Sequence, residues 1–417
     1  MPTPPAPLGE PAASPRPVRR PGTLALFRDY GIFIAALVLT GQWVVIHRVA
    51  HGALGPVWET VLPGLAVFGA ATLLSWAAEL AQLEISQALA LAFLALVAVL
   101  PEYAVDMYLA WTAAKHPAYT AFAAANMTGA NRLLIGLGWS TVLFAYWATT
   151  RKREIRVQPA QRLELLTLLV ATGYAFFIPL KRTLSIIDTV FFIGLFIIYI
   201  RKASQGHVEE PGLAGPSERL AFLPRSWRRL VTLLLFLLPA YTIFIAAEPF
   251  ANGLLHNARR LGIEEFILIQ WLAPLASEAP EFILAIIFAL RNNPTAGLGT
   301  LVSSKVNQWT LLIGMLPLVY AISGGHLQPM ALDGRQVEEI FLTAAQSLTA
   351  IVVLANLRFG LGEAILLLGL FLLQFLFPSP EIRMWLGAGY LAVAVGYLLT
   401  RTFRRSLVEL IRYGWRR

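Results

Sequence analysis

Apolar stretches long enough to cross a bilayer recur along this chain almost end to end, separated by short polar segments. A helix of about 20 apolar residues satisfies its own backbone hydrogen bonds inside hydrocarbon, so each stretch is a candidate transmembrane helix. The pattern predicts about twelve of them, at 31–48, 61–83, 86–112, 119–148, 163–182, 184–200, 228–250, 263–290, 296–322, 338–357, 360–378 and 384–400. The expected fold class is therefore an all-α polytopic membrane protein. The Pro- and Ala-rich stretch 1–22 contains no apolar run and is expected to be a disordered cytoplasmic tail.

Composition agrees with this reading. Of the 417 residues 57 % are hydrophobic and 14 % charged, against about 25 % charged in an average soluble domain. With no cysteine, and six histidines at or beyond the ends of the apolar runs, disulfide and zinc chemistry are excluded. The net charge of +9 comes from Lys and Arg grouped between spans, which argues for membrane orientation and against a nucleic-acid partner. Placing both termini inside puts Lys and Arg on the inner side over the outer by about three to one. A prokaryotic inner membrane is the expected location, with both termini cytoplasmic.

The chain also repeats itself. Leu83 to Glu102 reads LEISQALALAFLALVAVLPE and is followed by AAANMTGANRLLIG (Ala123–Gly136); Leu261 to Glu281 reads LGIEEFILIQWLAPLASEAPE and is followed by GLGTLVSSKVNQWTLLIG (Gly297–Gly314). Each half thus has a Pro-Glu pair in a long apolar run, then a span of small residues and amides ending in Leu-Leu-Ile-Gly. Counting spans gives the two Pro-Glu helices opposite directions, the arrangement of an inverted repeat. The expected organisation is an extra N-terminal helix in 23–60, a first five-helix repeat in 61–200, a cytoplasmic linker in 201–227, a second repeat in 228–378, and an extra helix with a basic tail in 379–417.

Ionisable residues within the spans point to function, because each costs about 2.5–3.5 kcal/mol at a helix centre unless paired or hydrated. Six stand out near the repeats: Glu102, Asp106, Arg132, Glu278, Glu281 and Lys305. Glu102 and Asp106 are four apart and Glu278 and Glu281 three apart, so each pair shares a face of a continuous helix. Pro101 and Pro280 each remove an N–H and free a carbonyl one turn earlier. A broken helix and its carboxylates would suit a hard cation near the bilayer midplane. Asn126, Asn131, Ser304 and Gln308 are candidate polar partners, with interhelical hydrogen bonding as the alternative role. Asp106, Glu278 and Lys305 read either as ligands and proton relays or as internal salt bridges. Arg132, permanently protonated, reads as a structural counter-charge. Glu79, Asp188, Glu248 and Glu363 fall towards span ends, where pairing or snorkelling is the default, and most aromatic residues, Trp139 and Trp385 among them, are expected at lipid or the interface.

The two segments resemble the α-repeats of the calcium/cation antiporter superfamily, the sodium/calcium exchanger-like membrane proteins, whose repeats carry Gly-Thr-Ser-x-Pro-Glu and then Gly-Asn-x-x-Gly-Ser-Asn. The resemblance covers the ten-helix core. It implies the fold, alternating access, and cation exchange centred on one Glu per repeat, here Glu102 and Glu281. In the second repeat Gly299, Ser304 and Gly314 keep the family register. The chain departs from the pattern in three ways. Ala98-Val99 and Ser277-Glu278 stand where the family has Thr-Ser. Lys305 stands where it has Asn, and Gln308 where it has Asn or Asp. In the first repeat an insertion leaves Asn126 and Asn131 competing for one amide position.

A lysine at such a site can take the place of a bound sodium, and its ammonium repels Ca²⁺. Four carboxylates against Lys305 and Arg132 leave a deficit that one divalent ion, or two protons or monovalent ions, would meet. The reading is a cation/proton antiporter, exchanging Ca²⁺ or Na⁺ against H⁺, with Glu102, Glu281, Glu278 and Asp106 as the metal-binding carboxylates and no resident cofactor. Its expected partners are inorganic cations, protons and the lipid bilayer. Sodium/calcium exchange, or a non-transporting sensor or scaffold on the same fold, are the alternatives. An enzyme is not expected: there is no Gly-x-Ser-x-Gly, no His-Glu-x-x-His and no histidine at membrane depth.

Overall fold

The computed structural model describes residues 23–49, 54–84, 100–205, 213, 215–377 and 379–415. The expected tail 1–22, the first part of the span at 86–112 and part of the linker 201–227 lie outside the described residues.

Helices follow one another in the order expected from the apolar pattern. They are α1 (Thr23–Val49), α2 (Trp58–Ala81), α3 (Leu100–Ala113), α4 (Tyr119–Thr150), α5 (Pro159–Lys181), α6 (Ile186–Ala203), α7 (Arg225–Leu261), α8 (Glu265–Leu290), α9 (Pro294–Gly324), α10 (Gly334–Leu354), α11 (Leu361–Leu376) and α12 (Pro380–Leu399). A basic helix, α13 (Arg401–Tyr413), follows. Nine of these among the described residues are long and apolar enough to cross a membrane, which makes this an integral membrane protein. The others are α3, of which only the later part is described, α6, which carries Asp188, Arg201 and Lys202, the short α11, and α13.

Helix ends are set locally. At the start of α6 the Ser185 N–H donates to Asp188 Oδ2 at 2.6 Å, and at the start of α10 the Asp333 and Gln336 side chains cap each other's backbone N–H, the reciprocal box that satisfies otherwise unpaired donors. Helices α7 and α9 each stop at a glycine in the left-handed region, Gly262 and Gly325, where a Cβ would be strained.

Four short strands show how the halves relate. Strand β1 (Glu154–Arg156), after α4, pairs antiparallel with β4 (Arg358–Gly360), after α10. Strand β2 (Thr183–Leu184), after α5, pairs with β3 (Met330–Ala331), after α9. Each ladder joins the loop after the third helix of one half to the loop after the fourth helix of the other, as a two-fold relation demands. The pairing also requires the α4–α5 and α10–α11 loops to share one membrane face and the α5–α6 and α9–α10 loops the opposite face, in keeping with helices that alternate in direction.

Apolar packing separates two bodies. One large core runs through α3–α6 and α8–α12 and takes in the Ala247–Leu255 part of α7. The α1–α2–α7 bundle is held by small clusters, such as Trp43, Ala66, Val67 and Ala246, one of which also meets Leu100 and Ala104 of α3. Small residues allow close approach within it, since a Cβ on Gly253 would come within 2.4 Å of Thr60 Oγ1.

Two expectations are corrected. Trp139 does not face lipid: it is fully buried where α4 meets the large core, whereas Trp385 is 77 % exposed as expected. Helix α8 is not broken at Pro280 but continues to Leu290. The irregularities lie instead in α4 and α9, which widen into π-turns at Leu134–Trp139 and Gln308–Leu312. Such a turn leaves a helix hydrogen bond unmade at its centre and rotates the residues on either side relative to one another.

Candidate functional site

Close backbone approach makes the centre possible. A Cβ on Gly129 of α4 would overlap the Gln270 carbonyl of α8 at 1.8 Å, and one on Gly297 of α9 would lie 2.4 Å from the Ala285 carbonyl of α8. Pro274 lacks the N–H that would have bonded the Gln270 carbonyl, so α4 crosses α8 where that carbonyl is free. The carboxylates of α8 are thereby brought against the polar side chains of α9.

Gln308, at the start of the α9 π-turn, joins the two halves. Its Nε2 donates to Glu102 Oε2 of α3 and to Glu278 Oε1 of α8, each at 3.0 Å. All three side chains are buried. Asp106 lies one turn along α3 and faces the Asn126 amide of α4; Glu281 faces the Ser304 hydroxyl of α9. Glu102 lies within electrostatic reach of Glu278, Asp106 and Glu281. The residue Glu281 is only part-buried, but its Oε2 is shielded from solvent.

Lys305, one turn before Gln308, is also buried. Its Nζ donates to Asn131 Oδ1 at 2.6 Å and lies 4.4 Å from the centre of the Trp309 ring. Asn131 Nδ2 in turn donates to the Met127 carbonyl at 2.8 Å, which orients its oxygen towards the ammonium. The lysine feels the charges of Glu278 and Glu102. Trp309 is fixed from the other side by its Nε1, which donates to Thr172 Oγ1 at 3.1 Å.

Glu102, Asp106, Glu278, Glu281, Asn126, Asn131, Ser304, Lys305 and Gln308 therefore lie around this centre, but Arg132 looks elsewhere. Its Nη2 is 2.5 Å from Glu339 Oε2 of α10, its Nη1 donates to Gln374 Oε1 of α11 at 3.3 Å, and its guanidinium lies over Trp271 of α8. Glu339 also faces Arg383 of α12, which bonds Glu338 at 3.0 Å. Arg132 is paired with Glu339, away from the central carboxylates. Sequence reasoning missed Glu339, Gln374 and Arg383. The readable signal was Gln374 within an apolar run and Glu339 only one turn into another. Of the four span-end carboxylates three pair, Asp188 with Lys181, Glu79 with Ser217, and Glu363 with the Gly360 N–H, while Glu248 is exposed.

Among the described residues no three His, Cys, Asp or Glu side chains converge as a resident metal site. The Gln308 amide lies between the Glu102 and Glu278 carboxylates. Several oxygens around it accept no hydrogen bond, among them Glu102 Oε1, Glu278 Oε2 and Gln308 Oε1. Buried oxygens of this kind suit a proton or a hard cation.

Residues 60–202 and 231–403 match the model of a sodium/calcium exchanger protein family. The chain is similar over 93 % of its length, and 98 % of the other's, to a crystal structure described as the H⁺/Ca²⁺ exchanger CAX, at 43 % identity and a TM-score of 0.89. At the level of fold alone it is similar to the native structure of YfkE, at 16 % identity, covering 89 % of this chain and 99 % of that one with a TM-score of 0.56. It is likewise similar to the sodium-calcium exchanger NCX_Mj, at 17 % identity, covering 84 % and 99 % with a TM-score of 0.51. Comparison with curated proteins gives no match.

Proposed function

Because the chain belongs to the sodium/calcium exchanger protein family, we propose that it is a secondary-active antiporter exchanging Ca²⁺ against H⁺ by alternating access. The observation that carries this reading is Gln308, whose one amide binds a carboxylate from each half at the buried centre. Glu102, Glu278, Glu281 and Asp106 bind the ion or the protons that replace it, and Asn126 and Ser304 orient Asp106 and Glu281. Turning the Gln308 amide over would exchange its donor for Oε1, converting a proton-state contact into an oxygen ligand for Ca²⁺.

Lys305 acts as a fixed cation, held by Asn131 in place of a monovalent ion. With Arg132 bound to Glu339, the four carboxylates face Lys305 alone, which strengthens their demand for a divalent ion or protons. The relative at 43 % identity is described as an H⁺/Ca²⁺ exchanger, which supports Ca²⁺ over Na⁺ as the driven ion. The separate cores of the α1–α2–α7 bundle support a sliding of that bundle against the remaining helices. The reading includes no enzymatic step and no resident cofactor. The distribution of Lys and Arg supports an inner-membrane protein of a prokaryote with both termini in the cytoplasm.

The test is proton movement in proteoliposomes containing a trapped pH dye, with Ca²⁺, Na⁺ and K⁺ added in turn. Ca²⁺ is expected to drive a proton flux that Glu281→Gln abolishes. Sodium-driven Ca²⁺ uptake without proton movement would replace this reading with sodium/calcium exchange. Silence in both assays would overturn transport.

A further inference from the structure

A second feature lies where the two bodies meet. A cavity of about 560 Å³ lies between α1 and α2 on one side and α8 on the other. Its walls run from Arg28 to Leu39 on α1, from Phe68 to Glu79 on α2 and from Pro280 to Arg291 on α8. At the α-helical rise each wall is about 16 Å long. The three helices alternate in direction in a consistent way, so Arg28, Glu79 and Arg291 gather at one mouth while Leu39, Phe68 and Pro280 close the deep end. Between them the lining is apolar apart from Thr72 and Ser75, whose hydroxyls donate to the Phe68 and Ala71 carbonyls of their own helix, and Ala35 and Ile283 lie on the α1 and α8 walls.

Water is a poor occupant for such a space, since an apolar cavity gives it too few hydrogen-bond partners. At the mouth, cations predominate. Asp29 is held by Arg219 at 3.2 Å and by Arg28 at 3.3 Å, and Glu79 accepts from the Ser217 hydroxyl. The Arg28 side chain is nevertheless 61 % exposed, and Arg291 makes no ion pair among the described residues. An elongated apolar slot whose mouth carries Arg291, which has no ion pair among the described residues, and the exposed Arg28, which shares Asp29 with Arg219, matches one ligand class, an acyl chain with an anionic phosphate at its end.

We propose that this cavity binds one anionic phospholipid, with an acyl chain between α1, α2 and α8 and the phosphate at Arg28 and Arg291. The deep end touches Pro280, the residue before Glu281, so the chain lies as a wedge between the α1–α2–α7 bundle and the helix that supplies two of the central carboxylates. The inference does not depend on the transported ion, because its readout is lipid retention.

Native mass spectrometry of the full-length protein, titrated with dioleoyl phosphatidylglycerol or dioleoyl phosphatidylcholine, tests it. Wild-type protein is expected to retain one phosphatidylglycerol in preference to phosphatidylcholine. Ala35→Trp and Ile283→Trp, which fill the slot from opposite walls, are each expected to lower occupancy by about tenfold. Arg28→Gln combined with Arg291→Gln is expected to leave a lipid bound but to remove the preference for phosphatidylglycerol. Melting in detergent identifies any variant that loses its fold. Wild-type protein that retains no lipid, tryptophan variants that are folded and retain it fully, or a headgroup preference that survives in the double glutamine variant would each overturn the proposal.

Discussion

Helices α4 and α9 hold equivalent places in the two halves, pass through a π-turn and carry one buried cation each, yet the two cations are used differently. On α4, Arg132 points away from the centre and is neutralised by Glu339, with Gln374 and Trp271 completing its surroundings. On α9, Lys305 meets a neutral amide and an aromatic ring and remains in the field of Glu278 and Glu102. A guanidinium has five donors in a fixed plane and suits a permanent network, whereas an ammonium is a compact charge that can be left to electrostatics. The π-turns differ in the same sense. That of α9 starts at Gln308, within the site, and that of α4 starts at Leu134, beyond Asn131 and Arg132. Helix α4 thus ties its cation into a neutralised network, whereas α9 keeps its cation and its amide among the central carboxylates.

The sharpest way to break this comparison is at the Arg132 network. Glu339→Gln leaves Arg132 buried without its carboxylate and is expected to cost about 3–5 kcal/mol, measured as a lower melting temperature in detergent. Arg132→Met combined with Glu339→Met should recover most of that loss. A melting temperature unchanged by Glu339→Gln would remove the distinction between the cations. At the centre, Gln308→Leu should lower Ca²⁺-driven proton flux by about a hundredfold while shifting melting far less than Glu339→Gln does. If stability falls as much as flux, Gln308 is structural as well. Lys305→Met tests whether the ammonium stands in for an ion: Na⁺ should then compete with Ca²⁺, weakening its apparent affinity by about tenfold at a fixed Na⁺ concentration. Insensitivity to Na⁺ in that variant would make Lys305 another structural cation.

The smallest effect is expected outside the membrane, at Glu84 beyond the end of α2. Hydrogen bonding to Arg229, and then to Arg228, holds its carboxyl down at about 2 against an ordinary 4.5. A carboxyl held low contributes stability that is present above its unfolded value and is lost as pH falls through the folded one. The melting difference between wild type and Glu84→Gln should therefore be small and constant above about pH 5 and shrink towards pH 2. A difference that grows on acidification would contradict the ion-pair account.

The helices were legible in the sequence because lipid imposes one rule on every span, and residues as far apart as Pro101-Glu102 and Pro280-Glu281 announced the repeat by their likeness. Their surroundings were less legible. A proline in an apolar run reads as a break, but α8 continues through both Pro274 and Pro280, and the Ser277 hydroxyl donates to the Ala273 and Pro274 carbonyls at 3.2 Å. The π-turns carry no proline and left no periodic signal. Trp139 reads as interfacial by residue type, but its burial depends on which side of α4 the other helices cover.

By itself, the sequence determined that this chain spans a membrane many times, that its halves are related by inversion, and that acidic, amide and lysine side chains lie at membrane depth. These follow from local hydrophobicity and from the cost of burying charge, which depend on residue type and spacing alone. Tertiary structure alone decided the partners: that Glu102 shares Gln308 with Glu278, that Asn131 holds Lys305, and that Arg132 turns to Glu339. Pairing between distant helices depends on crossing points and rotations, set here by glycine contacts and π-turns, and side-chain spacing along one helix does not encode them.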